Sequence, residues 1–176
     1  MSLRILVTGG PGAGKTALLG ALKTRGCDIV LETARAIIQD RMGRGLSPRP
    51  SPAEFANEIL RLDLERYRSV STAADRIFFD RGIPDALCML DELGLLKPKD
   101  LERYLSHYPY YRRVFVAPPW EAIYKTDAER DQSFPESVRV HDTLCVWYVR
   151  CGFELVEVPR APLEERCEFV LRTLNE

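Results

Sequence analysis

Histidine is scarce in this chain, with only His107 and His141 among 176 residues. Neither has the neighbouring ligands a metal site needs, so surface or packing roles are expected for both. Cysteine offers no framework either. The five cysteines are odd in number and form no C-x-x-C pattern, which argues against a disulfide scaffold and against a zinc site. Cys27, Cys88, Cys145, Cys151 and Cys167 read as reduced, mostly buried small hydrophobes. Charge of one sign is missing as well. A formal net charge of −1 gives no field that would draw a nucleic acid or a membrane surface. No apolar run approaches the length needed to cross a bilayer. Near the start, Ile5-Leu6-Val7 is too short for the core of a signal peptide, and a cytoplasmic location is the expectation. Repeats, heptads and low-complexity tracts are absent. What remains, 45% hydrophobic and 29% charged residues, is ordinary for a globular protein, and the length suits a single domain over 1–176.

Against that plain background one stretch stands out. Gly9-Gly10-Pro11-Gly12-Ala13-Gly14-Lys15-Thr16 fits G-x-x-x-x-G-K-[ST], the phosphate-binding loop. Glycines let the backbone curl so that successive N–H groups point at one anion, and the helix that follows adds the positive end of its dipole. Leu3 to Thr8 reads as a buried strand and Ala17 to Leu22 as a helix with an apolar face, the context the motif requires. The expected nucleotide contacts are Gly10, Gly12, Ala13, Gly14, Lys15, Thr16 and Ala17. Lys15 reaches the β- and γ-phosphates of ATP, and the Thr16 hydroxyl holds Mg²⁺.

Downstream, apolar runs alternate with helical patterns. Strands are read at Cys27–Leu31, Asp75–Asp80, Arg113–Ala117 and Phe153–Val158. Helices are read at Ala34–Arg41, from Ser51 to about Ser69, at Asp85–Leu93, Pro98–His107, Glu136–Val149 and Pro162–Leu174. Ser51-Pro52-Ala53-Glu54 is a helix start with a capping serine, an early proline and a glutamate at the third position. Between Arg41 and Pro50, three arginines, two glycines and two prolines with no periodicity read as a mobile loop, over about 41–52. Strands separated by helices need crossover connections, hence a five-stranded parallel sheet with helices on both faces. Ligands of such sheets bind beyond the carboxyl ends of the strands.

That rule selects the candidates. Asp80, where an apolar strand turns acidic, fits the second Mg²⁺-organising carboxylate, or else a capping or loop aspartate. Arg81 can bridge phosphates or grip a substrate hydroxyl, or simply pair with Asp80. Glu32 ends the second strand. If that strand neighbours the first, its carboxylate faces the space beyond the γ-phosphate and can take a proton from an attacking hydroxyl. The alternative is an ordinary glutamate at a helix start. Thr33 and Arg35 lie nearby, and Arg41, Arg44 and Arg49 can meet an anionic acceptor or form a solvated basic loop. Tyr124 to Asp131 follows the fourth strand, where a lid over about 118–135 would bring Lys125 and Arg130 to the transferring group. A charged solvent-facing helix is the other reading. Arg160, after the fifth strand, can flank the adenine. Tyr104, Tyr108, Tyr110 and Tyr111 suggest an exposed aromatic patch.

These residues resemble the nucleoside and nucleoside-monophosphate kinases. Within that group the chain is similar to small bacterial predicted ATPases akin to the ribosylnicotinamide kinase domain of the bacterial NAD regulator. The likeness rests on Phe78-Phe79-Asp80-Arg81-Gly82-Ile83-Pro84-Asp85, on Val116-Ala117-Pro118-Pro119-Trp120 and on Ile123 to Arg130, and it spans nearly the whole chain. Gly82 stands where a serine or tyrosine is usual. The resemblance implies a three-layer α/β P-loop NTPase fold with a lid. It implies nucleotide phosphate binding at Gly12, Gly14, Lys15 and Thr16, and a catalytic or metal-organising role for Asp80. Arg81 would contact substrate or phosphate, Arg130 would serve the lid, and Glu32 would be the base. The expected activity is ATP-dependent phosphoryl transfer to a nucleoside, nucleotide or similar small acceptor. The alternative is a P-loop ATPase acting as a nucleotide-dependent switch; a nucleic-acid kinase fits the charge poorly.

Overall fold

Alternation of side chains along each strand sorts the core into two halves. In the computed structural model, which describes residues 2–70, 74–124 and 132–175, five strands form one parallel sheet. They are β1 (Leu3–Gly9), β2 (Asp28–Val30), β3 (Arg76–Asp80), β4 (Arg113–Ala117) and β5 (Glu154–Glu157), in the spatial order β2-β3-β1-β4-β5. The connections carry α1 (Lys15–Thr24), α2 (Thr33–Gly43), α3 (Pro52–Ser69), α4 (Ile83–Glu92), α5 (Pro98–His107), α6 (Phe134–Arg150) and α7 (Leu163–Thr173). Ile5, Val7, Phe78 and Phe115 face one side and pack with α1 and α7. Leu6, Ile77, Phe79, Val114 and Val116 face the other and pack with α2, α3, α4 and α6. The result is the expected three-layer α/β architecture.

Two helices start on reciprocal caps. Ser51 Oγ accepts from the Glu54 amide at 3.4 Å while Glu54 accepts from the Ser51 amide at 3.1 Å. Ser133 and Glu136 repeat the device at the start of α6, with 3.4 and 2.6 Å. Each box satisfies amide donors that the first turn leaves unpaired.

Several boundaries differ from the sequence reading. Gly82, rather than Arg81-Gly82-Ile83-Pro84 as a whole, precedes α4, which begins at Ile83 because Pro84 is preset for a first turn. Helix α2 runs on to Gly43, so the arginine-rich loop is shorter than 41–52. Strand β2 does not neighbour β1. It pairs with β3, as Ile29 with Phe78 and Val30 with Phe79. The tyrosines are not an exposed patch. Tyr108 and Tyr110 set their rings edge-on to Tyr67, with centroids 5.3 and 5.2 Å away, and Tyr110 also meets Phe79 at 5.2 Å. Arg4 lies 3.7 Å over the Tyr67 ring. All five cysteines are free thiols. Among the described residues no helix is long and apolar enough to cross a membrane.

Candidate functional site

The register of the sheet decides what meets at its carboxyl edge. Val7 lies level with both Asp80 of β3 and Phe115 of β4, so β1 delivers Gly9 and the following loop just beyond these neighbours. Gly14 caps α1 with φ of +78°, a left-handed conformation that glycine adopts without cost. At Gly12, also left-handed at φ +75°, an added Cβ would stand 2.5 Å from the Tyr124 ring. Two helices send side chains to the loop's carbonyl oxygens. Ser137 of α6 donates its hydroxyl to Pro11 O at 2.6 Å, and Arg166 of α7 donates from Nη2 to Ala13 O at 3.2 Å. Lys15 opens α1 and is buried, with Nζ donating to Gly9 O at 3.2 Å and Gly10 O at 3.0 Å. Thr16 and Ala17 are exposed on the same turn.

Arg81 ties this loop to the neighbouring strand ends. Among the described residues it is the one non-glycine with positive φ, at 62°. Such a conformation costs on the order of 1 kcal/mol or more and persists where the surroundings enforce it. Here they do. The Arg81 amide donates to Val7 O at 2.9 Å. Its side chain donates from Nη2 to Gly9 O at 2.8 Å, from Nε to Glu32 at 3.1 Å and from Nη1 to Asp85 at 3.2 Å. Burial opposes the charge of Arg81, yet Glu32, Asp85 and Asp80 together hold its pKa above the ordinary guanidinium value. The pairing of Arg81 with Asp80 considered from sequence is therefore replaced by pairing with Glu32 and Asp85. Glu32 reaches Arg81 because β2 pairs with β3, whose end Arg81 follows. It stands at the N-cap of α2 but makes no side-chain cap bond.

Asp85 is the residue the sequence reading missed at the centre of this network. One carboxylate oxygen accepts from Thr8 Oγ1 at 2.6 Å as well as from Arg81, and the other accepts from Tyr148 OH at 2.6 Å and the Gly82 amide at 3.1 Å. Its signal was present, because an acid three residues after a helix-starting glycine is a typical capping position. Asp80 closes β3 and is no cap. Burial pushes its carboxyl up to about 6 against the pull of Lys15, with Glu32 adding to the rise. Its Oδ1 is buried without a hydrogen-bond partner among the described residues. A buried carboxylate oxygen left unsatisfied beside a phosphate loop is the donor that a hard cation such as Mg²⁺ uses, so the residues present fit that ion.

Beside this network opens a cleft of about 370 Å³, at the lower end of the roughly 300–1,000 Å³ typical of small-molecule sites. Lys15, Glu32 and Arg81 line it, and Ile38, Phe55, Ile59, Met89 and Leu144 make its apolar wall. Asp63 lines it too, accepting from Thr33 Oγ1. Burial pushes the Asp63 carboxyl up to about 7, with the Thr33 hydroxyl pulling the other way and Asp85 pushing with it. Asp63 was readable as an acid within the apolar stripe Phe55, Ile59, Asp63, Tyr67 of α3.

The remaining candidates divide. Arg35 and Arg49 line the cleft. Arg41 instead bonds Ser47 O at 2.7 Å and Arg44 pairs with Asp40 at 3.3 Å, both within their own segment. Arg160 is exposed and joins the ends of two strands, donating to Pro119 O at 3.0 Å. Lys125 and Arg130 lie outside the described residues. Among the described residues no cluster of three or more metal-ligating side chains occurs.

The architecture has close counterparts among solved structures. Deoxyadenosine kinase from M. mycoides with bound dATP matches at a TM-score of 0.67 and 13% identity, over 99% of this chain and all of that one (100%). Thymidylate kinase from Candida albicans matches at 0.66 and 13%, over 99% and 91%. The thymidylate kinase of Ehrlichia chaffeensis matches at 0.64 and 13%, over 99% of each chain. At such identities the likeness establishes the fold, that of the P-loop kinases. No curated protein matches the sequence. A family model described as an AAA domain matches residues 4–166, from β1 into the first turn of α7, and the chain belongs to that family.

Proposed function

We propose that this protein is an ATP-dependent small-molecule kinase. It moves the γ-phosphoryl group to a hydroxyl or phosphate of a nucleoside, nucleotide or similar acceptor. One observation carries the reading: Arg81 joins the glycine loop, Glu32 and Asp85 into one network that lines a cleft large enough for a small acceptor. The names of the structural neighbours, deoxyadenosine and thymidylate kinases, support the same class.

On this reading the loop amides and Lys15 hold the phosphates of ATP, and Thr16 and Asp80 would hold Mg²⁺. When bound, the ion would supply charge neutralisation for the phosphate tail. The acceptor enters the cleft between α2, α3 and α4. Its oxygen bonds to the γ-phosphorus, the bond from that phosphorus to the ADP oxygen breaks, and Glu32 takes the hydroxyl proton. Arg81 Nε orients the Glu32 carboxylate, while the guanidinium meets the charge spreading over the moving group. Apolar walls limit water, which would otherwise compete with the acceptor.

The test is a panel of nucleosides, nucleoside monophosphates and ribosylnicotinamide incubated with protein and MgATP labelled in the γ-phosphate. Label should pass to one acceptor class, with ATP consumption dependent on that acceptor. Steady phosphate release with no phosphorylated product would overturn the reading in favour of a regulatory ATPase.

A further inference from the structure

We infer that Arg166 is a positioning residue of the phosphate loop: from α7 it grips the outer, carbonyl side of the Ala13–Gly14 peptide and lends its charge to the anion bound on the amide side. The inference rests on the proposed donor-nucleotide site and adds a residue to it from a distant part of the chain.

Three observations support it. Arg166 is 4% exposed, yet its charge has no carboxylate partner among the described residues, and its Nε is buried without a hydrogen bond. Among the described residues the one hydrogen bond of its side chain is Nη2 to Ala13 O at 3.2 Å, across 153 residues of sequence. Its Nη1 also stands 2.8 Å from where a Gly14 Cβ would project, so the guanidinium lies against the loop at the glycine that caps α1.

Physical chemistry turns these into a role. A trans peptide points its C=O and N–H in opposite directions. Holding Ala13 O toward α7 therefore turns the Gly14 amide away from Arg166, toward the opposite side of the loop. A cation on the carbonyl end also polarises the peptide, making its amide end a better donor to an anion. An unpaired buried cation is costly for a fold to keep. Burial lowers the pKa of Arg166, with no acid raising it again. Yet a guanidinium stays charged in proteins. An arriving polyphosphate supplies the missing negative charge, so the cost is recovered when nucleotide binds.

This differs in sign from a structural brace, and the sign makes the test. Arg166→Gln and Arg166→Lys would be compared with wild type for thermal midpoint without nucleotide, and by calorimetric titration with MgATP and with AMP. Lys15→Ala serves as the control for the site itself. Removing a buried unpaired charge should leave the Gln variant melting at or above the wild-type midpoint. Its affinity for MgATP should fall about tenfold or more, that for AMP much less, and lysine should recover part of the loss. Unchanged MgATP affinity in the Gln variant would overturn the inference. So would a lowered midpoint that lysine restores in parallel with affinity, or equal losses for MgATP and AMP, since either outcome describes a brace. Wild-type protein that binds no MgATP, or a Lys15→Ala variant that binds it as well as wild type, would sink the donor-site reading and this inference with it.

Discussion

At the scale of single residues, two carboxyl groups in one cleft have been given opposite surroundings. Glu32 is held by the Arg81 guanidinium at 3.1 Å. Asp63 accepts a hydrogen bond from the Thr33 hydroxyl, and burial raises its carboxyl to about 7. On the proposed mechanism Glu32→Gln keeps size and hydrogen bonding but cannot accept a proton. Transfer should slow by about 10²–10⁴-fold with MgATP affinity intact, measured by calorimetry beside turnover. Unchanged turnover would take Glu32 out of the mechanism. For Asp63 the consequence is one of stability. A carboxyl whose pKa is higher folded than unfolded binds its proton more tightly in the folded chain. Its contribution is fully present below the ordinary value of 3.8 and is lost as pH rises through about 7. Asp63→Asn should therefore match wild type in unfolding free energy, read from urea titration, near pH 4 and exceed it at pH 8, by about 1–3 kcal/mol. Parallel pH profiles for the two proteins would show that Asp63 is not the group responsible.

At the scale of elements, the helices act as carriers of side chains to the sheet edge. Helix α3 presents Phe55, Ile59 and Asp63 on one stripe because residues four apart share a face. Its start is fixed by the Ser51–Glu54 box and Pro52. Ser51→Ala removes one half of that box and should lower unfolding free energy by about 1 kcal/mol, read from urea titration with an unchanged slope. Ile59 and Asp63 lie beyond the first turn and keep their places on the helix, so the folded variant should bind acceptor as wild type does. Much of this level is readable from local chemistry alone. The capping serine, the apolar stripe and the stopping glycine each act within a few residues. The reading slipped at α4, where Pro84 lies in the first turn of the helix instead of ending the preceding turn, and at α2, whose last turn carries residues of loop-like composition.

At the scale of the molecule, the loop is fastened to elements far apart in sequence. Ser137 reaches Pro11, Arg166 reaches Ala13 and Arg81 reaches Gly9. A ligand seated on this loop stabilises every element fastened to it. MgATP at one hundred times its dissociation constant should add about 2.7 kcal/mol and raise the melting midpoint by roughly 5–10 °C. Differential scanning fluorimetry would measure it, and a midpoint indifferent to millimolar MgATP would remove the nucleotide from the proposal.

The amino-acid order by itself determined the glycine loop, the alternation of strand and helix, and the acids and cations at strand ends. Each is a property of a short window, governed by backbone sterics, side-chain periodicity and capping. It did not determine which strands are neighbours, and so not that β2, by pairing with β3, brings Glu32 to Arg81. Nor did it reveal Asp85 as the hub or Arg166 as a cation of the phosphate loop, although both residues stand in plain view in the chain. Those facts depend on packing between segments dozens to more than a hundred residues apart. Burial there sets the cost of a charge, and only the folded arrangement says which partner, if any, offsets it.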